Sequence, residues 1–447
     1  MTNIRFDFQK PIGPIRAMHG VGQPPLLGTD TSRFHYLSDA HIPYARLHDV
    51  AGWFGGNMYV DIPNIFRDFD ADVNDPASYD FVFTDLLLAA LHEHHCEPIF
   101  RLGVSIENFH EIKAYRIFPP KDFQKWAEIC EHIIRHYNEG WANGFHYNIQ
   151  YWEIWNEPDG YQTIEGNAMW KGTPEQYYEL YRVTSKHLRA CFGNTILIGG
   201  YASCGFYRAV EKQTVSGEAF GIKKQLTDWD MRIDHFISFF DGFIDMVVKE
   251  NLPFDFFSHH SYNNVKDTLT MQRYCEERLE AAGLGHVKIQ LNEWNANPRA
   301  EERATLFACA STAAMMCAMQ QTKMDLMCYY DAGIGTSVYR SLFDPLTTKP
   351  VCTYYALYAF GKLYELGTQV AASCDNEDVY MTAAVGNGKK GVLIANLGED
   401  TEVTTNFADA AAVYTVTADH TFAPIEADAA RFTLKKYQTV YIEGAAV

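Results

Sequence analysis

The run YNIQYWEIWNEP, Tyr147 to Pro158, decides how the chain is read. Tyr147–Trp155 is a near-continuous apolar and aromatic stretch, as expected for a parallel strand covered on both faces. A helix signal follows. Thr173-Pro174-Glu175-Gln176 supplies an N-cap, a proline at the first helical position and a capping-box glutamine, and Gly193 ends the segment. Thr195–Gly200 is then a second short β run. Strand, helix, strand in this order is the parallel crossover unit.

The same alternation extends in both directions. Further strand candidates are Ile15–Gly20, Tyr44–His48, Pro98–Gly103, Phe254–His259, Val287–Asn292 and Asp325–Tyr330. Between them, Phe123, Trp126, Cys130, Ile133, Ile134 and Tyr137 recur at helical spacing after Pro119-Pro120, and Gly140 closes that helix. Tyr79–His95, Ile233–Glu250, Thr268–Ala282, Glu302–Met319 and Pro350–Leu366 read as further helices. Eight such units over about 350 residues predict a (β/α)8 TIM barrel, an α/β fold. A doubly wound open sheet competes, and alternation alone does not separate the two.

After Gly367 the pattern changes to short strands: Gln369–Cys374, Val379–Val385, Gly391–Asn396, Thr401–Asn406, Ala412–Thr417, Arg431–Leu434 and Thr439–Glu443. Turn residues such as Gly386-Asn387-Gly388 separate them, which is the signature of an appended antiparallel β-sandwich. Ile4–Phe8 adds a strand from the other chain end. The expected division is a catalytic barrel at 14–366 and an accessory sandwich made from 1–13 and 367–447.

Barrel chemistry sits at the C-terminal ends of the strands. There, strand four ends in Trp152-Glu153-Ile154-Trp155-Asn156-Glu157-Pro158 and strand seven in Leu291-Asn292-Glu293-Trp294. Each delivers a glutamate to the rim from an apolar context. Glycosidic cleavage needs two carboxyl groups, one to protonate the leaving oxygen and one to stabilise or attack the anomeric carbon. Glu153 shares its strand face with Trp155 and is expected inside the barrel in a structural role, where it must be paired.

The Trp-Asn-Glu-Pro segment resembles the acid/base signature of the clan A retaining barrel glycosidases. Within that clan the chain resembles glycoside hydrolase family 39, the family of β-xylosidases and α-L-iduronidases. The matching patches are Arg46-Leu47-His48, Trp152 to Pro158, His260-Ser261-Tyr262 and Asn292-Glu293-Trp294. The resemblance implies Glu157 as general acid/base and Glu293 as nucleophile. It implies that Asn156 binds the sugar 2-hydroxyl, that Tyr262 orients Glu293 and that Arg46 keeps it charged. His48 and His260 would line the sugar subsite, and Trp294 or Trp155 would pack the sugar face. The loops Val21–Pro25 and Trp53–Asn57, which shape the pocket in such enzymes, match neither the xylosidase nor the iduronidase pattern. A uronide substrate would need cations for its carboxylate, with Arg299 and Lys266 as candidates.

Several other signals carry less. His92, His94, His95 and Cys96 end a helix at the face opposite the rim, where packing explains them better than zinc. His259 and His260 are adjacent on a strand and point to opposite faces, so they are no metal pair. Gly20-Val21-Gly22 lacks the third glycine of a nucleotide loop, and no GxSxG elbow is present. No metal or other cofactor is expected.

The chain of 447 residues carries 37 basic and 56 acidic side chains, a net charge of −19, which disfavours nucleic acid and anionic membranes as partners. Its ten cysteines include no CxxC pair and sit in apolar runs, as reduced thiols do. The start MTNIRFDFQKPIG lacks a signal-peptide pattern. Ala304–Met319, about 16 residues, is short for a membrane span. A cytoplasmic enzyme acting on an oligosaccharide or glycoside substrate is the expectation, and a homo-oligomer is open. The expected activity is a retaining, exo-acting, β-xylosidase-like hydrolase. The alternatives are the same chemistry on a β-galactoside, β-glucoside, arabinoside or uronide, transglycosylation, or a non-catalytic carbohydrate-binding protein.

Overall fold

A computed structural model describes residues 1–25, 32–50, 60–105, 117–211, 227–296, 298–407 and 409–446. The loop at 53–57 noted above lies outside these residues.

The chain opens with β1 (Thr2–Pro14) and then enters eight parallel strands: β2 (Ala17–Gly22), β3 (Tyr44–Leu47), β4 (Glu97–Leu102), β5 (Tyr151–Ile154), β6 (Leu197–Ser203), β7 (Phe256–Ser261), β8 (Lys288–Trp294) and β9 (Met324–Tyr329). They close on themselves, β9 pairing with β2 through Ala17↔Leu326, Gly20↔Cys328 and Val21↔Tyr329. Closure excludes the open sheet. The helices between and after the strands are α1 (His35–Asp39), α2 (Ile62–Ile65), α3 (Val82–Glu93), α4 (Phe123–Glu139), α5 (Pro174–Phe192), α6 (Asp228–Glu250), α7 (Val265–Ala281), α8 (Leu306–Met319) and α9 (Cys352–Leu366).

Side-chain alternation sorts the barrel into two layers. Tyr151, Ile99, Phe256, Leu326 and Cys328 fill the lower interior. Trp152, Ile154, Ile289 and Leu291 point outward into the helix layer. Above the apolar plug the interior turns polar, with Arg46, Glu153, Ser258 and Asn292 in mutual contact.

Several element boundaries differ from the sequence reading. The fourth barrel strand is Tyr151–Ile154 rather than Tyr147–Trp155. Ahead of it, the N–H groups of Tyr147 and Ile149 are taken by Tyr137 and Asn138 of α4, so that stretch packs on the helix instead of joining the ladder. Helix α6 begins at Asp228 rather than Ile233, because Thr227 and Asp230 form a reciprocal capping box. The histidines at the end of α3 pack as expected of a helix end: His92 stacks on Tyr147, and His94 bonds Ser38 Oγ at 2.9 Å.

The second sheet is β10 (Thr368–Cys374), β11 (Val379–Gly386), β12 (Lys389–Asn396), β13 (Thr401–Thr404), β14 (Ala410–Val416), β15 (Phe422–Pro424), β16 (Arg431–Leu434) and β17 (Thr439–Ala445), together with β1. Its pairings are antiparallel except β1 with β13, where Thr2↔Val403 runs parallel. The strand Phe422–Pro424 is absent from the sequence reading, being only three residues long. Asn387 and Gly388 take positive φ at the β11–β12 turn, the left-handed conformation of a tight hairpin. Strand β12 shows why the sheet sits where it does. Val392 and Ile394 enter the sheet's own core with Ile4, Phe6 and Val440, while Leu393 and Ala395 join the barrel core beside α8 and α9. All ten cysteines are free. Among the described residues no helix is long and apolar enough to cross a membrane.

Candidate active site

Two local distortions aim the rim residues. After β5 the chain turns out of the barrel through positive φ at Trp155 (74°) and Glu157 (45°), so Asn156 and Glu157 face the cavity. The Trp155 ring anchors that turn in the helix layer, its Nε1 donating to Met169 O at 2.9 Å. On β8, the pairing with β7 slips between His259↔Leu291 and His260↔Glu293, leaving Asn292 as an extra residue. That bulge lets consecutive residues face inward: Asn292 Nδ2 donates to Glu153 Oε1 at 2.5 Å, and Glu293 lines the cavity.

Arg46 ties the site together from β3. Its Nε donates to Glu153 Oε2 (2.7 Å), and its two terminal nitrogens donate to Glu293 Oε1 (2.7 Å) and Asn156 Oδ1 (2.6 Å). The guanidinium is 1% exposed. Burial opposes its charge, but Glu153 and Glu293 outweigh that and hold its pKa above the ordinary value. Glu153 also accepts from Ser258 Oγ at 2.5 Å, so this interior carboxylate is paired on both oxygens.

Glu293 Oε2 accepts a hydrogen bond from the Tyr262 hydroxyl at 2.7 Å. Burial, and then the neighbouring Glu293 charge, push that phenol's pKa up, so it stays a donor. Glu157 Oε1 lies 2.7 Å from His260 Nδ1, which is also 3.5 Å from Glu293 Oε2. Burial lowers the His260 pKa to about 4, so the imidazole is neutral at neutral pH. Burial raises the Glu157 pKa, partly offset by the Cys204 thiol and the charges of Arg232 and Arg46. His48 Nε2 is 3.2 Å from Asp49 Oδ1 and 3.8 Å from Glu293 Oε1, and burial and nearby Arg101 and Arg46 keep it neutral.

Oxygens of Glu157 and Glu293 lie within 4.8 Å of each other. The carboxyl pair stands over a cavity of about 760 Å³. With His260, these groups also come close enough to ligate a cation, but Arg46 already supplies positive charge to Glu293. A second such trio, Glu131, His187 and Cys191, lies between α4 and α5, where Arg135 occupies Glu131.

The family model of glycosyl hydrolases family 39 matches residues 30–298. The chain belongs to that family. A β-xylosidase of Geobacillus stearothermophilus is 22% identical over 235 residues, 51% of this chain and 39% of the relative. A β-xylosidase of Caldicellulosiruptor saccharolyticus is 24% identical over 280 residues, 57% of this chain and 46% of the relative. The matched stretches thus span less than half of either curated relative. Among solved structures, a glucosidase from Croceicoccus marinus superposes with a TM-score of 0.75 at 18% identity, covering 100% of this chain and 99% of that one. A family 39 β-xylosidase from Caulobacter crescentus gives 0.69 at 15% identity, covering 99% and 100%. At these identities the superpositions speak to the fold.

The structure of this family 39 chain gathers Arg46, His48, Asn156, Glu157, His260, Tyr262 and Glu293 in one place. It departs from the sequence reading at five positions, the first being Trp155, whose ring is buried in the helix layer and does not line the cavity. Trp294 is 0% exposed and packs edge-on against Tyr329 in the helix-layer core, because the β8 bulge that turns Glu293 inward turns its successor outward. His260 is 0% exposed and does not line the cavity; it sits behind the carboxyl pair and contacts both. Lys266 pairs with Asp378 at 3.1 Å on the second sheet's side, and neither it nor the exposed Arg299 reaches the cavity. His259, by contrast, points away from the site as expected and meets Gln272.

The sequence reading also missed residues. Tyr330 donates to Asp49 Oδ2 (2.9 Å), Gln23 Nε2 donates to Tyr330 (2.7 Å), and Arg340 donates to Gln23 Oε1 (3.1 Å), forming one wall with Asp331. Burial raises Asp331 to about 7. Tyr330 and Asp331 directly follow β9, so the strand-end rule that found Glu157 reaches them too. Trp229 and Arg232 come from α6, and no strand-end signal marks them.

Proposed function

We propose that this chain is a retaining glycoside hydrolase, an exo-acting β-xylosidase-like enzyme that removes terminal sugars from oligosaccharides. The observation that carries the reading is the approach of the Glu157 and Glu293 oxygens to within 4.8 Å. Retaining pairs stand about 5–5.5 Å apart, whereas inverting pairs stand about 6.5–9.5 Å apart to leave room for water. The sugar comes from the two curated relatives, both named β-xylosidases.

In the first step Glu157, whose protonated form burial favours, gives its proton to the glycosidic oxygen as that C–O bond breaks. A Glu293 oxygen forms the new bond to the anomeric carbon and gives a glycosyl-enzyme. Arg46 and Tyr262 hold the Glu293 carboxylate charged and fixed for attack. Asn156, its Oδ1 held by Arg46, offers its amide to the sugar 2-hydroxyl. In the second step the ionised Glu157 takes a proton from water, whose oxygen displaces Glu293 with a second inversion.

The test is a panel of 4-nitrophenyl α- and β-glycosides, with the anomer of the first-formed sugar read by proton NMR. Cleavage of β-xyloside to β-xylose supports the reading. Initial α-xylose sinks the retaining mechanism, and cleavage of another glycoside alone reassigns the sugar.

Two further outcomes are expected. Because the protonated form of Glu157 is the active one, kcat/KM falls as pH rises through its elevated pKa; Glu157→Gln removes that alkaline limb. A pH profile unchanged in the variant would count against the role. Tyr262→Phe removes one bond to a charged carboxylate and lowers kcat roughly 10- to 100-fold with little change in KM. Steady-state kinetics on the preferred aryl glycoside measure it.

A further inference from the structure

The cavity has two chemically different ends. One gathers beside Glu293 and holds the carboxylates of Asp49 and Asp331, with Tyr330 and Arg340. Arg340 is engaged there, donating to Gln23 Oε1 and Ile334 O and standing 3.5 Å from Asp331 Oδ1. The other end gathers beside Glu157 and is walled by Met169, Cys204, Tyr207, Trp229, Arg232 and Phe236. A general acid stands next to the oxygen it protonates, so this second end receives the leaving group.

Arg232 is built into that end as a fixed cation. Its Nε donates to Gly160 O at 2.7 Å. The guanidinium carbon stands 5.4 Å from the Tyr161 ring centroid and 5.6 Å from that of Phe236, which holds the plane between two rings. Among the described residues its terminal nitrogens have no hydrogen-bond partner, and no carboxylate comes within ion-pair distance. Asp228, one helical turn before it, gives its oxygens to Tyr161 and Gln162 instead. This is unusual in a chain of net charge −19, where Arg208 at the neighbouring turn is paired with both Asp230 and Asp234. A planar fork with two free donors fits a carboxylate in bidentate fashion. Beside it Trp229 is 39% exposed, with its Nε1 held by Glu211, so the indole is fixed and offers surface to a ring.

We propose that the leaving-group end of this cavity takes a carboxylate-bearing leaving group, received by the terminal nitrogens of Arg232 and covered by Trp229. The inference rests on the retaining-glycosidase reading, because that reading decides which end is which.

The test compares phenyl and 3-carboxyphenyl glycosides of the preferred sugar, whose phenols have similar acidity. Both pass through the same glycosyl-enzyme, so a difference in kcat/KM belongs to the leaving-group end. The expected result is a preference of about tenfold for the 3-carboxyphenyl glycoside at low ionic strength. The preference shrinks in 0.5 M salt, which screens the cation roughly to the 3–5 Å range. Arg232→Gln abolishes it and Arg232→Lys keeps part of it. The same ratio on disaccharides ending in glucuronate and in glucose assigns the carboxylate to an aromatic acid or a sugar acid. A wild-type ratio of one in both pairs overturns the proposal without any variant. So does a ratio that survives in Arg232→Gln, or an Arg232→Gln loss equal for both partners of a pair, which would make Arg232 a general charge beside Glu157. If no glycoside of any kind is cleaved, it is the hydrolase reading that fails and this proposal falls with it.

Discussion

Glu293→Ala is expected to lower turnover of aryl β-glycosides by at least about 10⁴-fold while leaving the folded protein no less stable than wild type. The first half follows from the proposed role as nucleophile, in which the interior glutamate beside it cannot substitute. Glu153 is fully buried behind Arg46 and occupied on both oxygens. The second half follows from charge. Arg46 faces two carboxylates, Glu153 and Glu293, at 2.7 Å each. His48 and His260 beside them are neutral at neutral pH, burial being the leading cause for each. The cluster therefore carries an excess negative charge, and removing Glu293 leaves a balanced Arg46–Glu153 pair. Removing Arg46 does the reverse and strands two buried carboxylates, at a cost of about 3–5 kcal/mol. Thermal unfolding of the two variants checks this: Glu293→Ala at or above the wild-type Tm, Arg46→Met well below it. Azide added to Glu293→Ala attacks from the vacated side and gives an α-glycosyl azide. A variant that retains wild-type turnover would dismiss Glu293.

Glu157→Ala is expected to lose 10²- to 10⁴-fold on substrates with poor leaving groups, and far less on activated aryl glycosides whose departure needs no proton. On activated substrates the glycosyl-enzyme accumulates, because the base for the second step is gone. Azide needs no base and restores turnover, giving a β-glycosyl azide. The two variants thus deliver opposite anomers from one reagent. That contrast separates nucleophile from acid/base without reliance on rate alone. If azide leaves Glu157→Ala unchanged, or yields the α product, the assignment of Glu157 fails.

The eight-unit alternation and the change of pattern after Gly367 were legible because they rest on local terms: period 3.6 or 2 in apolar residues, the Thr173–Gln176 box, and turn glycines. Where a local signal was faint, the reading slipped. The α6 start at Asp228 depends on Asp230 reaching back to Thr227, and the three-residue β15 has no periodicity to read. The rim was legible in part, since Glu157 and Glu293 follow directly from strand ends.

Strand periodicity and the residues at each strand's end are local, and they are enough to name the carboxylates that are candidates for chemistry. Which side chains face the cavity depends instead on how the strands pair and pack. Strict alternation along β8 would send Asn292 and Glu293 to opposite faces. The bulge against β7 places both inward and sends Trp294 into the core. Positive φ at Trp155 does the same on β5, taking its ring out of the barrel. A bulge is a property of two paired strands, set by how their neighbours pack, so no single segment encodes it. The same holds for Arg232. Its lack of a carboxylate partner among the described residues depends on Asp228 being engaged by Tyr161 and Gln162 from another loop, a contact between segments some 66 residues apart that local spacing does not carry.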